Sequence, residues 1–155
     1  MKKLVFVGAG SMAEALISGI GASGLLPGEK IWVTNKQDTD RLKTLEQKHG
    51  VKTTYDSGML FKDADAVVLA MKPKDAASAI EEIKSYLPEG MLVISVLAGV
   101  SIDAIETAAE KSLAVVRAMP NTSAAIGKSA TALAVNSHVS ETQKSWCRSF
   151  LTRSA

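Results

Sequence analysis

Residues 2–20 read KKLVFVGAGSMAEALISGI. The apolar run ends at Gly8, a second glycine follows at Gly10, and the pattern then resumes with helical spacing through Leu16, Ile17 and Ile20. Two lysines before an apolar run are also how a secretory signal begins, but here Gly8, Gly10 and Glu14 interrupt the run within a few residues, so it reads as a strand. Gly8–Ala13 has the form G-x-G-x-x-A between that strand and a helix. In this context Gly8 permits a tight turn, Gly10 lets a pyrophosphate approach the backbone, and Ala13 keeps the helix close to the sheet. The helix start adds unpaired N–H groups and a partial positive charge suited to phosphate. A ligand-free strand-to-helix turn has the same letters, so the rest of the chain must decide.

Further apolar, β-branched runs recur at 30–34, 51–54, 66–71, 91–96, 113–118 and 130–135. Their nearly continuous apolar character predicts strands covered on both faces. Helical patterns fall between them at about 11–23, 37–49, 57–63, 74–87, 101–111 and 140–152. This alternation predicts an α/β fold: a doubly wound, mostly parallel, Rossmann-like sheet. Pro73 suits the first turn of a helix, and Ser140 with Gln143 predicts a capping box before a face of Trp146, Cys147, Phe150 and Leu151.

Composition sets outer limits. The chain has 155 residues, 46% hydrophobic and 22% charged, which predicts one globular domain over 1–155. The net charge of +2 is spread out, giving no footprint for nucleic acid or anionic lipid, and no apolar run is long enough to span a membrane. Cys147 is the only cysteine, which fits a reducing cytoplasm and a packing role. His49 and His138, each beside a loop, are expected at the surface, and no metal cluster or catalytic triad is evident.

The second strand ends VTNK, with Asn35 where an NAD site usually offers an acid to the ribose, and Lys36 next. A carboxylate about 4 Å from a 2′-phosphate charge would be repelled by about 4 kcal/mol at an effective dielectric near 20. Asparagine avoids that repulsion and Lys36 can add attraction, so NADPH is expected over NADH, with NADH still possible. A merely solvated Lys36 fits the same letters.

AMKPK (70–74), SVLAGVS (95–101) and RAMPNTSAAIG (117–127) end three later strands. Together with GAGSMAEAL they resemble the N-terminal, cofactor-binding domain of pyrroline-5-carboxylate reductase along essentially the whole chain. The resemblance implies that Val7, Gly8, Ala9, Gly10, Ser11 and Met12 hold the pyrophosphate and that Asn35 meets the adenosine ribose or its phosphate. It implies that Met71, Lys72 and Pro73 lie beside the ribose and nicotinamide, Ala98 near the nicotinamide, and Met119, Pro120 and Asn121 near the reacting ring. Each segment by itself equally fits a turn or helix start.

Two local departures are Ser57, where the family often has Asn, and Asn35-Lys36 in place of Asn-Arg, a point charge for a planar fork. The family also carries a helical second domain, which builds the dimer and supplies most substrate contacts; this sequence is expected to stop before it and before the last strand of the cofactor domain. The implied reaction is NADPH-dependent reduction of the C=N bond of 1-pyrroline-5-carboxylate to L-proline, in proline biosynthesis. It implies an NAD(P)H-dependent oxidoreductase acting on a CH–NH bond, cytoplasmic and a homo-oligomer built on dimers when whole, with this fragment poorly active. No catalytic residue is assigned. Competing readings are another NADP-dependent reductase, such as a β-hydroxyacid dehydrogenase, or a non-catalytic dinucleotide-binding regulator.

Overall fold

In the computed structural model, which describes residues 2–120 and 131–154, the opening apolar run forms strand β1 (Leu4–Val7), all four residues of which are buried. Leu4 and Phe6 face one hydrophobic layer and Val5 and Val7 the other, as expected for a strand covered on both sides. The remaining strands are β2 (Ile31–Thr34), β3 (Lys52–Thr53), β4 (Ala66–Leu69), β5 (Leu92–Ser95), β6 (Ala114–Pro120) and β7 (Thr131–Val135). They form one sheet in the order β3-β2-β1-β4-β5-β6-β7. Strands β1 to β6 pair in parallel, while β7 runs antiparallel to β6. A parallel return would need a crossover of a dozen or more residues, and only 121–130 lie between β6 and β7.

The helices are α1 (Ser11–Ser23), α2 (Thr39–His49), α3 (Ser57–Phe61), α4 (Ala76–Ile83), α5 (Ile102–Ala109) and α6 (Glu141–Ser154). Helices α1, α2 and α6 contribute buried side chains to the layer holding Leu4 and Phe6; α3, α4 and α5 contribute to the opposite layer. The helix expected over 74–87 is divided: Pro73–Asp75 and Lys84–Tyr86 are 3₁₀ turns flanking α4, with Pro73 in the first turn as anticipated. The Lys111 ammonium donates to the carbonyls of Lys84 and Leu87, satisfying acceptors that a regular helix end leaves open. Helix α3 begins after Asp56, whose carboxylate accepts from Met59 N–H, and is shorter than expected because Lys62 is already extended.

At α6 the capping box forms as its letters predict. Ser140 N–H donates to Gln143 Oε1 at 2.9 Å, and Gln143 N–H donates to Ser140 Oγ at 3.1 Å. Cys147 and Leu151 are buried in the α1 layer, each leucine of this kind being worth about 1.5–3 kcal/mol. Burial pushes the Cys147 thiol up to about 12, so it packs rather than reacts. No helix among the described residues is long and apolar enough to cross a membrane. The side chains of Met119, Pro120 and Phe150 fall outside the described set.

Candidate functional site

The parallel register aligns Val7 with Thr34 on one side and Leu69 on the other, and Leu69 with Ser95, so these strands end level with one another. The segments that follow therefore gather at one edge of the sheet. Strand order reverses at β1, whose neighbours are β2 and β4, and open α/β sheets bind ligands outside the carboxyl ends of strands at such a point. The ladder continues one step beyond β1: Gly8 N–H donates to Thr34 C=O at 2.9 Å, and Ala70 N–H donates to Val7 C=O at 2.9 Å. Gly8 has φ +114°, and a Cβ there would sit 2.4 Å from the Ala70 carbonyl carbon. Only glycine fits, because both the conformation and the space exclude a side chain.

Gly10 is different in kind. Its φ is −82°, a conformation open to any residue, and a Cβ on it would meet nothing within 4 Å. The bare position thus answers no demand of the chain's own packing, and the space beside it is open to a ligand. Gly10 is also the N-cap of α1, with no side chain capping the helix. The first helical bond runs from Glu14 N–H to Gly10 C=O at 3.0 Å, leaving the amides of Ser11, Met12 and Ala13 without intrahelical acceptors. An uncapped helix start, an exposed Gly10 and a tight Gly8 turn fit a phosphate-linked dinucleotide.

On the β2 side Asn35 is fixed at both ends. Its Nδ2 donates to Asp38 C=O at 2.8 Å, and its Oδ1 accepts from the Tyr55 hydroxyl at 2.6 Å. Desolvation, and next the Asp38 charge, push the Tyr55 phenol up, keeping it a donor. Lys36 is 80% exposed and lies 3.5 Å from Asp75 Oδ1. Because Lys36 follows β2 and Asp75 follows β4, this ion pair reaches across the end of β1. Lys36 is therefore exposed but paired, a state between the two expected for it.

The other expected positions fall as follows. Met71 is half-buried, and Lys72 and Pro73 are exposed beyond β4. Ala98 is exposed beyond β5, in a turn completed by Gly99 at φ +72°. Ser57 is the first residue of α3, in the segment that also presents Tyr55. Met119 and Pro120 are backbone members of β6, which runs on past the level at which its neighbours end; Asn121 lies outside the described residues. Val7 and Ala9 are buried, which leaves their backbone rather than their side chains at the loop. Among the described residues no group of three or more His, Cys, Asp or Glu could hold a metal ion.

Behind the glycine loop lies a cluster whose membership the sequence did not identify. Arg41 Nε donates to Ala9 C=O at 2.7 Å, and its Nη2 donates to Gly10 C=O at 3.3 Å and to Glu14 Oε1 at 2.9 Å. Glu14 Oε2 meets His49 Nε2 at 2.9 Å and Lys48 Nζ at 3.5 Å. The hydrogen bond with His49, then that with Arg41, holds the Glu14 carboxyl down at about 2. His49, expected at the surface, has a side chain only 14% exposed, because α2 folds its last turn against α1; His138 is exposed as expected. Asp38 completes the arrangement by accepting the Arg41 N–H at 3.0 Å as the α2 N-cap. A lone acid in the first turn of the helix after the glycine loop is the signal available in the sequence, but it does not say which lysines, arginines or histidines partner it.

The profile of the family described as "NADP oxidoreductase coenzyme F420-dependent" matches residues 3–99, which include the glycine loop, Asn35, the Met71–Pro73 segment and Ala98. The chain belongs to this family. Within it, the chain is 45% identical to pyrroline-5-carboxylate reductase 1 of Bacillus subtilis over 150 residues, covering 97% of this chain and 50% of the relative. A solved pyrroline-5-carboxylate reductase from Coxiella burnetii superposes with TM-score 0.88 at 38% identity, covering 99% of this chain and 56% of that one. The Plasmodium falciparum pyrroline carboxylate reductase, solved with NADP bound, superposes with TM-score 0.78 at 26% identity, over 99% of this chain and 55% of that one. The chain spans about half the length of the curated relatives it matches.

Proposed function

We propose that residues 1–155 are the NADP-binding domain of a pyrroline-5-carboxylate reductase, an oxidoreductase that reduces 1-pyrroline-5-carboxylate to L-proline. The observation that carries this reading is the 45% identity to the Bacillus subtilis reductase across 97% of the chain. The level strand ends and uncapped α1 start agree with it, because a reductase of this kind must first hold a dinucleotide. When bound, NADPH supplies the hydride. The chain's own part is to bind and orient: amides at the start of α1 receive the pyrophosphate, with Gly10 leaving room for it.

Asn35 and Lys36 face the adenosine end, where an amide and an ammonium tolerate a 2′-phosphate that a carboxylate would repel. Met71, Lys72, Pro73 and Ala98 border the opposite end, and Ser57 belongs to the adenosine side. Met119, Pro120 and Asn121 are assigned to the reacting ring by resemblance alone. Orienting the rings is the main contribution such a domain makes to rate, by converting a bimolecular encounter into a fixed one. A cytoplasmic, homo-oligomeric whole protein accords with this role.

The test is a chimera in which this chain replaces the matching half of the Bacillus subtilis reductase. NADPH oxidation dependent on 1-pyrroline-5-carboxylate supports the reading. A folded chimera that binds NADPH but reduces no cyclic imine rejects the substrate, and one that binds no NADPH rejects the whole assignment.

A further inference from the structure

We infer that Arg41 is a positioning residue for the phosphate loop, holding the carbonyls of Ala9 and Gly10 from behind so that the next amides face the pyrophosphate. The inference rests on the cofactor reading above and adds a residue that lies outside the glycine motif. Its basis is the geometry of the peptide unit. In a trans peptide the C=O of one residue and the N–H of the next share a plane and point in opposite directions. There are no cis peptides among the described residues. Fixing the Ala9 carbonyl therefore fixes the Gly10 N–H, and fixing the Gly10 carbonyl fixes the Ser11 N–H, each aimed away from Arg41.

The guanidinium is suited to this task. Its planar fork reaches two successive carbonyls and a carboxylate at once, at 2.7, 3.3 and 2.9 Å. Gly10 C=O already accepts the first helical bond from Glu14 N–H, so Arg41 supplies its second donor. Glycine gives the loop clearance but also conformational freedom, and an external tether offsets that freedom without adding a side chain on the ligand side. Arg41 is itself held at both ends: Asp38 accepts its N–H, and Glu14 accepts its side chain.

The same contact removes an electrostatic liability. Glu14 lies in the first turn of α1, where its charge opposes an incoming phosphate. Arg41, Lys48 and His49 surround that carboxylate from α2. Charge neutralisation alone would be served by a lysine at position 41; the Ala9 and Gly10 contacts, made here by two separate nitrogens of one rigid plane, would not be reproduced in that geometry by the single nitrogen of an ammonium.

The experiment measures NADPH and adenosine 2′-monophosphate binding to the 155-residue chain and to its Arg41→Ala and Arg41→Lys variants, alongside thermal unfolding without ligand. The expected result is NADPH affinity about tenfold weaker in Arg41→Ala and clearly weaker in Arg41→Lys, from loss of charge-assisted bonds that orient the loop. Affinity for adenosine 2′-monophosphate, which has no group at the loop, stays within about twofold in both, whereas general loosening of the fold would weaken both ligands together. NADPH binding at wild-type strength in Arg41→Lys, or equal losses for the two ligands, overturns the inference while leaving the cofactor site in place. No NADPH binding by the unsubstituted chain removes the cofactor reading itself.

Discussion

Lys36 Nζ and Asp75 Oδ1 stand 3.5 Å apart across the carboxyl end of β1, linking the segment after β2 to the segment after β4. Lys36 is largely exposed, so the pair by itself adds little stability. Its consequence is for ligand choice: a 2′-phosphate near Asn35 would compete with Asp75 for the same ammonium. Asp75→Asn is therefore expected to raise NADPH affinity and Lys36→Ala to lower it, each by about threefold to tenfold at low salt and less at high salt. NADH affinity should change little in either variant. Parallel calorimetric titrations with both nucleotides check this, and equal shifts for the two would contradict it.

The two glycines of the loop should respond differently to substitution. Gly8→Ala places a methyl against the Ala70 backbone at a left-handed φ, and is expected to cost more than about 2 kcal/mol in urea unfolding. Gly10→Ser adds a hydroxyl in open space at an N-cap, where serine is favoured, so stability should hold or rise by a few tenths of a kcal/mol. The same hydroxyl occupies the helix amides and the clearance proposed for phosphate, so NADPH affinity should fall by about tenfold or more. A stable Gly8→Ala protein, or a Gly10→Ser protein with wild-type binding, would contradict these assignments.

Glu14 gives acid stability a definite sign. Its folded-state pKa, about 2, lies below the ordinary value of 4.5. The ionised form is thus favoured by folding, and the contribution is present above pH 4.5 and lost as pH falls from there toward 2. Urea midpoints measured from pH 6 to pH 2.5 should fall more steeply for the wild type than for Glu14→Gln. Coincident slopes would show that the Arg41, Lys48 and His49 partnership does not hold in solution.

Cys147 provides a check on α6. Buried in the α1 layer, with its thiol pushed up to about 12, it should resist a water-soluble thiol reagent at pH 8 and react when the chain is unfolded in urea. Rapid labelling of the native chain would mean that α6 does not cover the sheet as described.

These residues also mark how far the sequence could be read. The Gly8–Ala13 loop, the parallel strands and the Ser140–Gln143 box were legible because their signals are local: a turn, an apolar run, a pair three residues apart. The direction of β7 was not, since strand letters do not encode direction and only the short span 121–130 argues for a reversal. The Arg41–Glu14 contact joins residues 27 apart, and the Asn35–Tyr55 bond residues 20 apart, through sheet order that no short window contains. His49 is expected at the surface because it stands beside a loop, whereas α2 turns that end onto Glu14.

The most direct test is a crystal structure of the 155-residue chain grown with NADPH. The pyrophosphate is expected at about 3 Å from the amides at the start of α1, over the bare Gly10, with the 2′-phosphate toward Asn35 and Lys36. Nucleotide bound elsewhere, or a crevice left empty at saturating NADPH, would contradict it.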